Sequence, residues 1–162
     1  MSQIIALVLL LLPVVLMGWA YLGYPGFLRI LSRFGSAPRE WSDPPEWPEI
    51  SIVVPAYNEE RNIRRTVESL LALDYPSDRR QIVVISDASS DGTDQIVSGY
   101  QDRGVELFRM PQRSGKTAAE NAVLPRLRGS IVVNTDATIR ILPDALKPLI
   151  RVFQDPTIGV AS

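Results

Sequence analysis

Ile50-Ser51-Ile52-Val53-Val54 is a nearly unbroken β-branched run that stops at Pro55 and opens at once into Ala56-Tyr57-Asn58-Glu59-Glu60. A strand without polar alternation is buried on both faces, as in a parallel sheet covered by helices. Pro55 is expected to end it, because proline donates nothing to a ladder. Asn58 is the expected N-cap of a helix that starts immediately, with Glu59 and Glu60 at its positive end. In open α/β sheets such a corner lies at the carboxyl ends of the strands, where ligands bind. Taken alone, the stretch fits an ordinary strand–loop–helix connection equally well.

The same grammar repeats downstream. Glu59 to Leu73 carries Ile63, Val67, Leu70 and Leu71 at helical spacing, and Asp74-Tyr75-Pro76 closes the segment. A second strand covers Gln81 to Ser86 and runs into Asp87-Ala88-Ser89-Ser90-Asp91-Gly92-Thr93, a turn rich in capping residues, then a helix to Tyr100. Val105 to Arg109 is a third strand, Met110 to Lys116 a loop, and Thr117 to Arg126 a helix. Ser130 to Asn134 is a fourth strand, Pro143 to Phe153 a last helix, and Thr157 to Ser162 the start of a further strand with an exposed edge. Strands alternating with helices imply right-handed crossovers and a mostly parallel, Rossmann-like sheet flanked by helices. Its polar strand ends then gather along one edge.

Ahead of this domain, Ile4 to Leu22 holds no charge, and its length suits one bilayer-crossing helix. Pro13 is tolerable in such a helix, and Trp19, Tyr21 and Tyr24 sit where interfacial aromatics do. Arg29 and Arg33 follow, and no Lys or Arg precedes the run, so the positive-inside rule puts the rest of the chain in the cytoplasm. A cleaved signal peptide is disfavoured by the missing basic n-region and A-x-A-like site. Leu28 to Phe34 either lies along the membrane surface or continues the anchor. Residues 1–35 are thus an anchor with its juxtamembrane segment. Residues 36–48, with four prolines between Ser36 and Pro48, are a linker, and 49–162 form the soluble domain.

Composition narrows the chemistry. With 46% hydrophobic and 22% charged residues the chain is a folding one, and a net charge of −1 gives no reason to expect nucleic acid as a partner. Cysteine and histidine are both absent, which removes disulfides, thiolate nucleophiles, Cys/His zinc sites and histidine-based triads. Acid–base work falls to carboxylates, lysine or tyrosine, and any metal must be a hard ion held by oxygen.

Three carboxylates stand at strand ends. Asp87 is placed to accept a hydrogen bond from a base or ribose, or simply to form a turn. Asp136 ends an apolar strand, where a hard cation and a diphosphate could meet, and it too suits a turn. Glu59 is the third; Asp91 and Asp94 rank behind, as helix-capping residues. Arg113-Ser114-Gly115-Lys116-Thr117 ends like a P-loop, but Met110 stands where its first glycine belongs. Lys116 and Arg113 near an anionic ligand, or on a solvated loop, are the readings left. No Gly-x-Gly-x-x-Gly follows the first strand, which argues against a dinucleotide cofactor.

Four motifs in register resemble the nucleotide-sugar-binding half of family 2 glycosyltransferases, which have the GT-A fold: Val54-Pro55-Ala56-Tyr57-Asn58-Glu59, Ser86-Asp87-Ala88-Ser89-Ser90-Asp91-Gly92-Thr93, Arg113-Ser114-Gly115-Lys116 leading into Ala118-Ala119-Glu120-Asn121, and Asp136-Ala137-Thr138. The apolar segment with Tyr21-Leu22-Gly23-Tyr24-Pro25 resembles the polysaccharide-forming members. The resemblance implies a donor site for a UDP-sugar. Pro55, Ala56 and Tyr57 would shape the nucleobase pocket, Glu59 would contact the nucleoside, and Asp87 would read the uracil edge. Lys116 would lie near the nucleotide. Asp136 would take the first Asp-x-Asp position, near the diphosphate and its Mg²⁺ or Mn²⁺. The acceptor would be a glycan or a lipid-linked sugar, and the mechanism an inverting one.

The chain departs from that family twice. Thr138 replaces the second Asp-x-Asp carboxylate, which weakens the expected metal site. The chain also stops where the acceptor-binding half and its general base are expected, so no catalytic residue is assigned and a truncated form or fragment is expected. Two other classes stay open: a non-catalytic nucleotide-binding module that needs a partner subunit, and a P-loop-like hydrolase.

Overall fold

The computed structural model describes residues 2–34 and 41–162. It divides into two compact units, residues 1–40 and 41–162. In the first, α1 (Ser2–Gly18) continues through a π-helical turn at Trp19–Gly23 into α2 (Tyr24–Leu31). Pro13 does not interrupt the run. Gln3–Leu31 is the one helix among the described residues long and apolar enough to cross a bilayer, by length and composition. At about 1.5 Å per residue its 29 residues exceed the roughly 30 Å of hydrocarbon. Leu28 to Leu31 continue that helix without a break, and α2 ends there.

In the second unit, β1 (Ile50–Ala56), β2 (Arg80–Ser86), β3 (Val105–Arg109) and β4 (Ile131–Asn134) form one sheet in the order β3-β2-β1-β4, parallel throughout. The helices are α3 (Ile63–Leu71), α4 (Thr93–Ser98), α5 (Lys116–Val123) and α6 (Leu146–Arg151). Alternate β1 residues face opposite sides. Ile50, Ile52, Val54 and Ala56 pack with Ile63, Val67 and Leu70 of α3, Val97 of α4, and Leu146 and Ile150 of α6. Val53, Val83 and Ile85 pack with Ala119 and Val123 of α5 on the other face. The chain winds outward from β1 to β3, then returns over the opposite face to place β4 beside β1. With right-handed crossovers that reversal puts α5 opposite α3 and α4, and opens a switch point between β1 and β4.

Four expectations change. Pro55 lies inside β1, which runs to Ala56. Val53 accepts from Thr135 N–H on the β4 side and Ala56 from Asp87 N–H on the β2 side. Alternation turns Pro55 toward β4, beyond the last β4 partner at Asn134, so its missing N–H costs no ladder bond. Asn58 does not cap a helix, since α3 begins only at Ile63. It takes φ 54°, a left-handed conformation that asparagine tolerates. No strand forms at 157–162; Val160 to Ser162 instead line a groove with β4 and α6. Finally, of the expected linker, 36–40 lies outside the described residues, and 41–48 packs on the domain. Trp47 meets Tyr75 edge-on at 5.5 Å, Tyr75 Oη donates to the Pro48 carbonyl, and Arg151 pairs with Asp43.

Candidate functional site

The carboxyl ends of β1, β2 and β4 meet the β3–α5 loop in a cleft of about 140 Å³ lined by Pro55, Ala56, Tyr57, Asp87, Lys116 and Asp136. These are six of the seven residues singled out from the sequence. They arrive from four places in the chain and share one edge because the sheet is parallel and reverses direction beside β1. Glu59 is the seventh and does not line this cleft. Its carboxylate accepts from Asn62 Nδ2 at 2.9 Å and its carbonyl from Asn62 and Ile63 N–H, so it starts α3.

Two corners behind the cleft are sewn together by side chains that substitute for missing backbone partners. Asn58 N–H donates to Ser89 Oγ at 3.2 Å, and Ser90 N–H donates to Asn58 Oδ1 at 2.8 Å. Glu59 N–H reaches Thr93 Oγ1 at 2.8 Å, Glu60 N–H reaches Asp91 Oδ2 at 3.1 Å, and Gly92 N–H reaches Glu60 Oε2 at 3.0 Å. Asp91 also accepts from Thr93 N–H at 3.0 Å, just ahead of the Gly92 N-cap, and so ties the first residue of α4 to the other corner. Burial pushes its carboxyl up, yet the hydrogen bonds from Thr93 and Glu60 hold it below the ordinary 3.8. Asp94 pairs with Arg109 instead of facing the cleft.

Asp87 is buried, and both its oxygens are engaged. Oδ1 accepts Ser114 N–H at 2.7 Å and Oδ2 accepts Gly115 N–H at 2.8 Å. Successive N–H groups that would cradle a phosphate in a P-loop here hold a carboxylate, which agrees with the missing first glycine. Each carboxylate oxygen has a second lone-pair site, so Asp87 can still accept from a ligand. Two residues before Gly115, the Arg113 guanidinium lies 4.0 Å from the Tyr57 ring centroid. One residue after Gly115, Lys116 Nζ donates to Asp136 Oδ1 at 2.6 Å. That hydrogen bond, against slight desolvation and with the charges of Asp136 and Glu120, holds the Lys116 ammonium above the usual lysine value. Both side chains of the pair are about half exposed, so its net worth is about 0–1 kcal/mol.

Asp136 is fixed by its backbone. Thr135 N–H extends the ladder to Val53, and Thr66 Oγ1 of α3 donates to the Ala137 carbonyl at 2.5 Å. Among the described residues no three acidic, cysteine or histidine side chains cluster around a common point. Asp136 alone, with waters and substrate phosphates, is nevertheless a donor set that Mg²⁺ accepts, since that ion is bound through one or two carboxylates plus phosphates. Thr138, exposed beside it, adds no charge. Asp136 fits a hard divalent cation brought or shared by a phosphorylated ligand.

Sequence reasoning missed the latch role of Ser89, Thr93 and Glu60, and the engagement of Asp87 by the Ser114 and Gly115 amides. The run of capping residues signalled turns; their partners thirty residues away left no local trace.

The model of glycosyl transferase family 2 matches residues 51–162. The chain is 34% identical over 117 residues to a beta-monoglucosyldiacylglycerol synthase of Synechocystis sp., covering 70% of this chain and 24% of that protein. It is 28% identical over 134 residues to an N-acetylglucosaminyltransferase of Mesorhizobium japonicum, covering 78% and 31%. Among solved structures, the mannosyltransferase PcManGT from Pyrobaculum calidifontis, in complex with GDP-Man and Mn²⁺, superposes with a TM-score of 0.77 at 30% identity, over 90% of this chain and 44% of that one. S. aureus TarS 1-349 in complex with UDP-GlcNAc gives 0.59 at 30% identity over 62% and 29%. The chain thus spans about a quarter to a third of the curated relatives it matches. Its parallel sheet with flanking helices is the GT-A architecture that the motifs resembled. By that match over most of its length, this chain belongs to the family 2 glycosyltransferases.

Proposed function

We propose that this chain is the donor-binding part of an inverting glycosyltransferase that takes a UDP-sugar and serves a glycan or lipid-linked acceptor. The observation that carries the reading is the convergence of Pro55, Ala56, Tyr57, Asp87, Lys116 and Asp136 in one cleft at the switch point of the sheet. The uracil packs against Tyr57 over the Pro55–Ala56 backbone, and Asp87 accepts an N–H from its edge. Lys116 and Asp136 flank the diphosphate. Asp136 would hold a divalent cation there, and that ion would supply neutralisation of charge on the departing nucleoside diphosphate. In the transfer, the acceptor oxygen bonds to the sugar's anomeric carbon, the bond from that carbon to the diphosphate oxygen breaks, and a general base takes the acceptor proton. In this reading Asp87 and Asp136, the two carboxylates of the cleft, are engaged by the donor, and the part proposed for these residues is to bind and orient it. The Gln3–Leu31 helix is proposed as a membrane anchor, with Arg29 and Arg33 keeping the domain cytoplasmic.

Calorimetry on the 162-residue chain in detergent tests the reading. UDP is expected to bind in the presence of Mn²⁺ or Mg²⁺, more tightly than GDP, with Asp87→Ala and Asp136→Ala each weakening it at least tenfold. No UDP binding by a chain with intact circular dichroism overturns the assignment. A preference for GDP overturns the donor base alone, and keeps the cleft.

A further inference from the structure

One loop of five residues, Gln112–Lys116, touches three walls of the cleft. Arg113 covers the Tyr57 ring, the amides of Ser114 and Gly115 hold Asp87, and Lys116 holds Asp136. We propose that this loop is a stand-in for the donor: it satisfies the groups of the cleft, and donor entry proceeds by an exchange in which Lys116 leaves Asp136 for the diphosphate and Arg113 leaves Tyr57 to the base. The inference rests on the donor-site reading above and concerns how that site opens.

Size is the first argument. Pockets for drug-sized ligands span roughly 300–1,000 Å³, and this cleft holds about 140 Å³. A nucleoside diphosphate needs more room than the cleft encloses beside Lys116. Geometry is the second. A base stacked on the Tyr57 face needs the layer that the guanidinium fills at 4.0 Å from the centroid. The third is the grading of the contacts. The middle of the loop is tied by two backbone amides to a carboxylate that is 6% exposed. The two ends are tied by side chains at exposed positions, with Lys116 and Asp136 at 55% and 51%. The centre is therefore a pivot and the ends are releasable. The fourth is charge. Lys116 gives up one carboxylate for a diphosphate of higher charge, and Asp136 is left to a divalent cation. Lys116 thus competes with cation at Asp136 while favouring nucleotide, and the two effects have opposite signs.

The test uses the 162-residue chain in detergent, as wild type, Lys116→Met and Arg113→Ala, each checked by circular dichroism. Mn²⁺ binding without nucleotide is read by water-proton relaxation, metal-free UDP by calorimetry, and uridine by saturation-transfer NMR. Lys116→Met is expected to bind Mn²⁺ about threefold more tightly and UDP about tenfold more weakly. Arg113→Ala is expected to bind uridine about threefold more tightly, because the ring is freed. If wild type binds UDP but Mn²⁺ affinity is unchanged or falls in Lys116→Met, or uridine affinity is unchanged or falls in Arg113→Ala, the exchange is overturned and the donor site stands. A folded wild type that does not bind UDP overturns the donor site, and the exchange with it.

Discussion

Gly115 donates its backbone N–H to Asp87 Oδ2 at 2.8 Å from a backbone at φ 86° and ψ 160°. That region is essentially closed to residues with a Cβ, and the space around the Cα is open, so conformation and not crowding demands glycine here. Gly115→Ala should turn the amide away from Asp87 and carry Lys116 out of place. Strain of about 1–3 kcal/mol localised in an exposed loop should appear as roughly tenfold weaker UDP binding. Thermal melting should move by only a few degrees, because the sheet is untouched. Calorimetry beside a melting curve checks both, and unchanged UDP affinity would show that the loop needs no such anchor.

At the opposite end of the sheet, a buried polar ladder holds the crossover into β4. Gln81, 2% exposed, accepts from Ser51 Oγ at 2.6 Å and from Arg128 N–H at 2.9 Å. Its amide donates to Glu106 Oε1 and the Arg126 carbonyl, both at 3.1 Å. Gln81→Leu keeps the volume and strands several of these partners, for about 2–4 kcal/mol of lost stability. Urea unfolding should register that loss, while UDP affinity at the far edge stays as in wild type. A loss below about 0.5 kcal/mol would mean that water replaces the ladder.

How much of this was legible in the sequence follows from what each signal depends on. The non-alternating runs at Ile50–Val54 and Ile82–Ile85 report burial on both faces, a property of the strand itself, so the parallel sheet was readable. That Asp87 and Asp136 share one cleft was readable because strand ends in such a sheet converge whatever the side chains are. Asn58 was misread because its oxygen is claimed by Ser90, thirty-two positions away, and not by the amide two or three residues on that a cap would serve. Pro55 was misread because a strand's tolerance of proline depends on where its neighbour ends, which only the register gives. The prolines of 41–48 signalled irregular backbone correctly, but irregular is not the same as detached, and Trp47 is held against Tyr75.

Ala88 takes φ 57°, a left-handed conformation that costs an L-residue roughly 1 kcal/mol. It follows Asp87 directly, so the turn that aims the carboxylate is strained. Ala88→Gly should relieve part of that strain, offset by the freer unfolded chain, for a net gain of up to about 0.5 kcal/mol. Differential scanning calorimetry should show a higher melting temperature, and a lower one would place the strain elsewhere.

Asp91 makes the joined corners sensitive to acid. It accepts from Thr93 N–H and Oγ1 and from Glu60 N–H, and these bonds hold its carboxyl below the ordinary 3.8 against the opposing effect of burial. A carboxyl whose folded pKa is depressed contributes stability that is fully present above the unfolded value and is lost as pH falls through the folded one. The contribution should therefore persist from neutral pH down to about 4 and fade below it. Asp91→Asn removes the charge and keeps the shape, so the variant should unfold at lower urea than wild type at pH 6. The two midpoints should converge as pH falls through the depressed folded value, where the wild-type carboxyl is protonated as well. Urea midpoints measured from pH 2.5 to 6.5 trace this difference. A gap that stays constant across the range would assign the effect of Asp91 to hydrogen-bond geometry alone, without its charge.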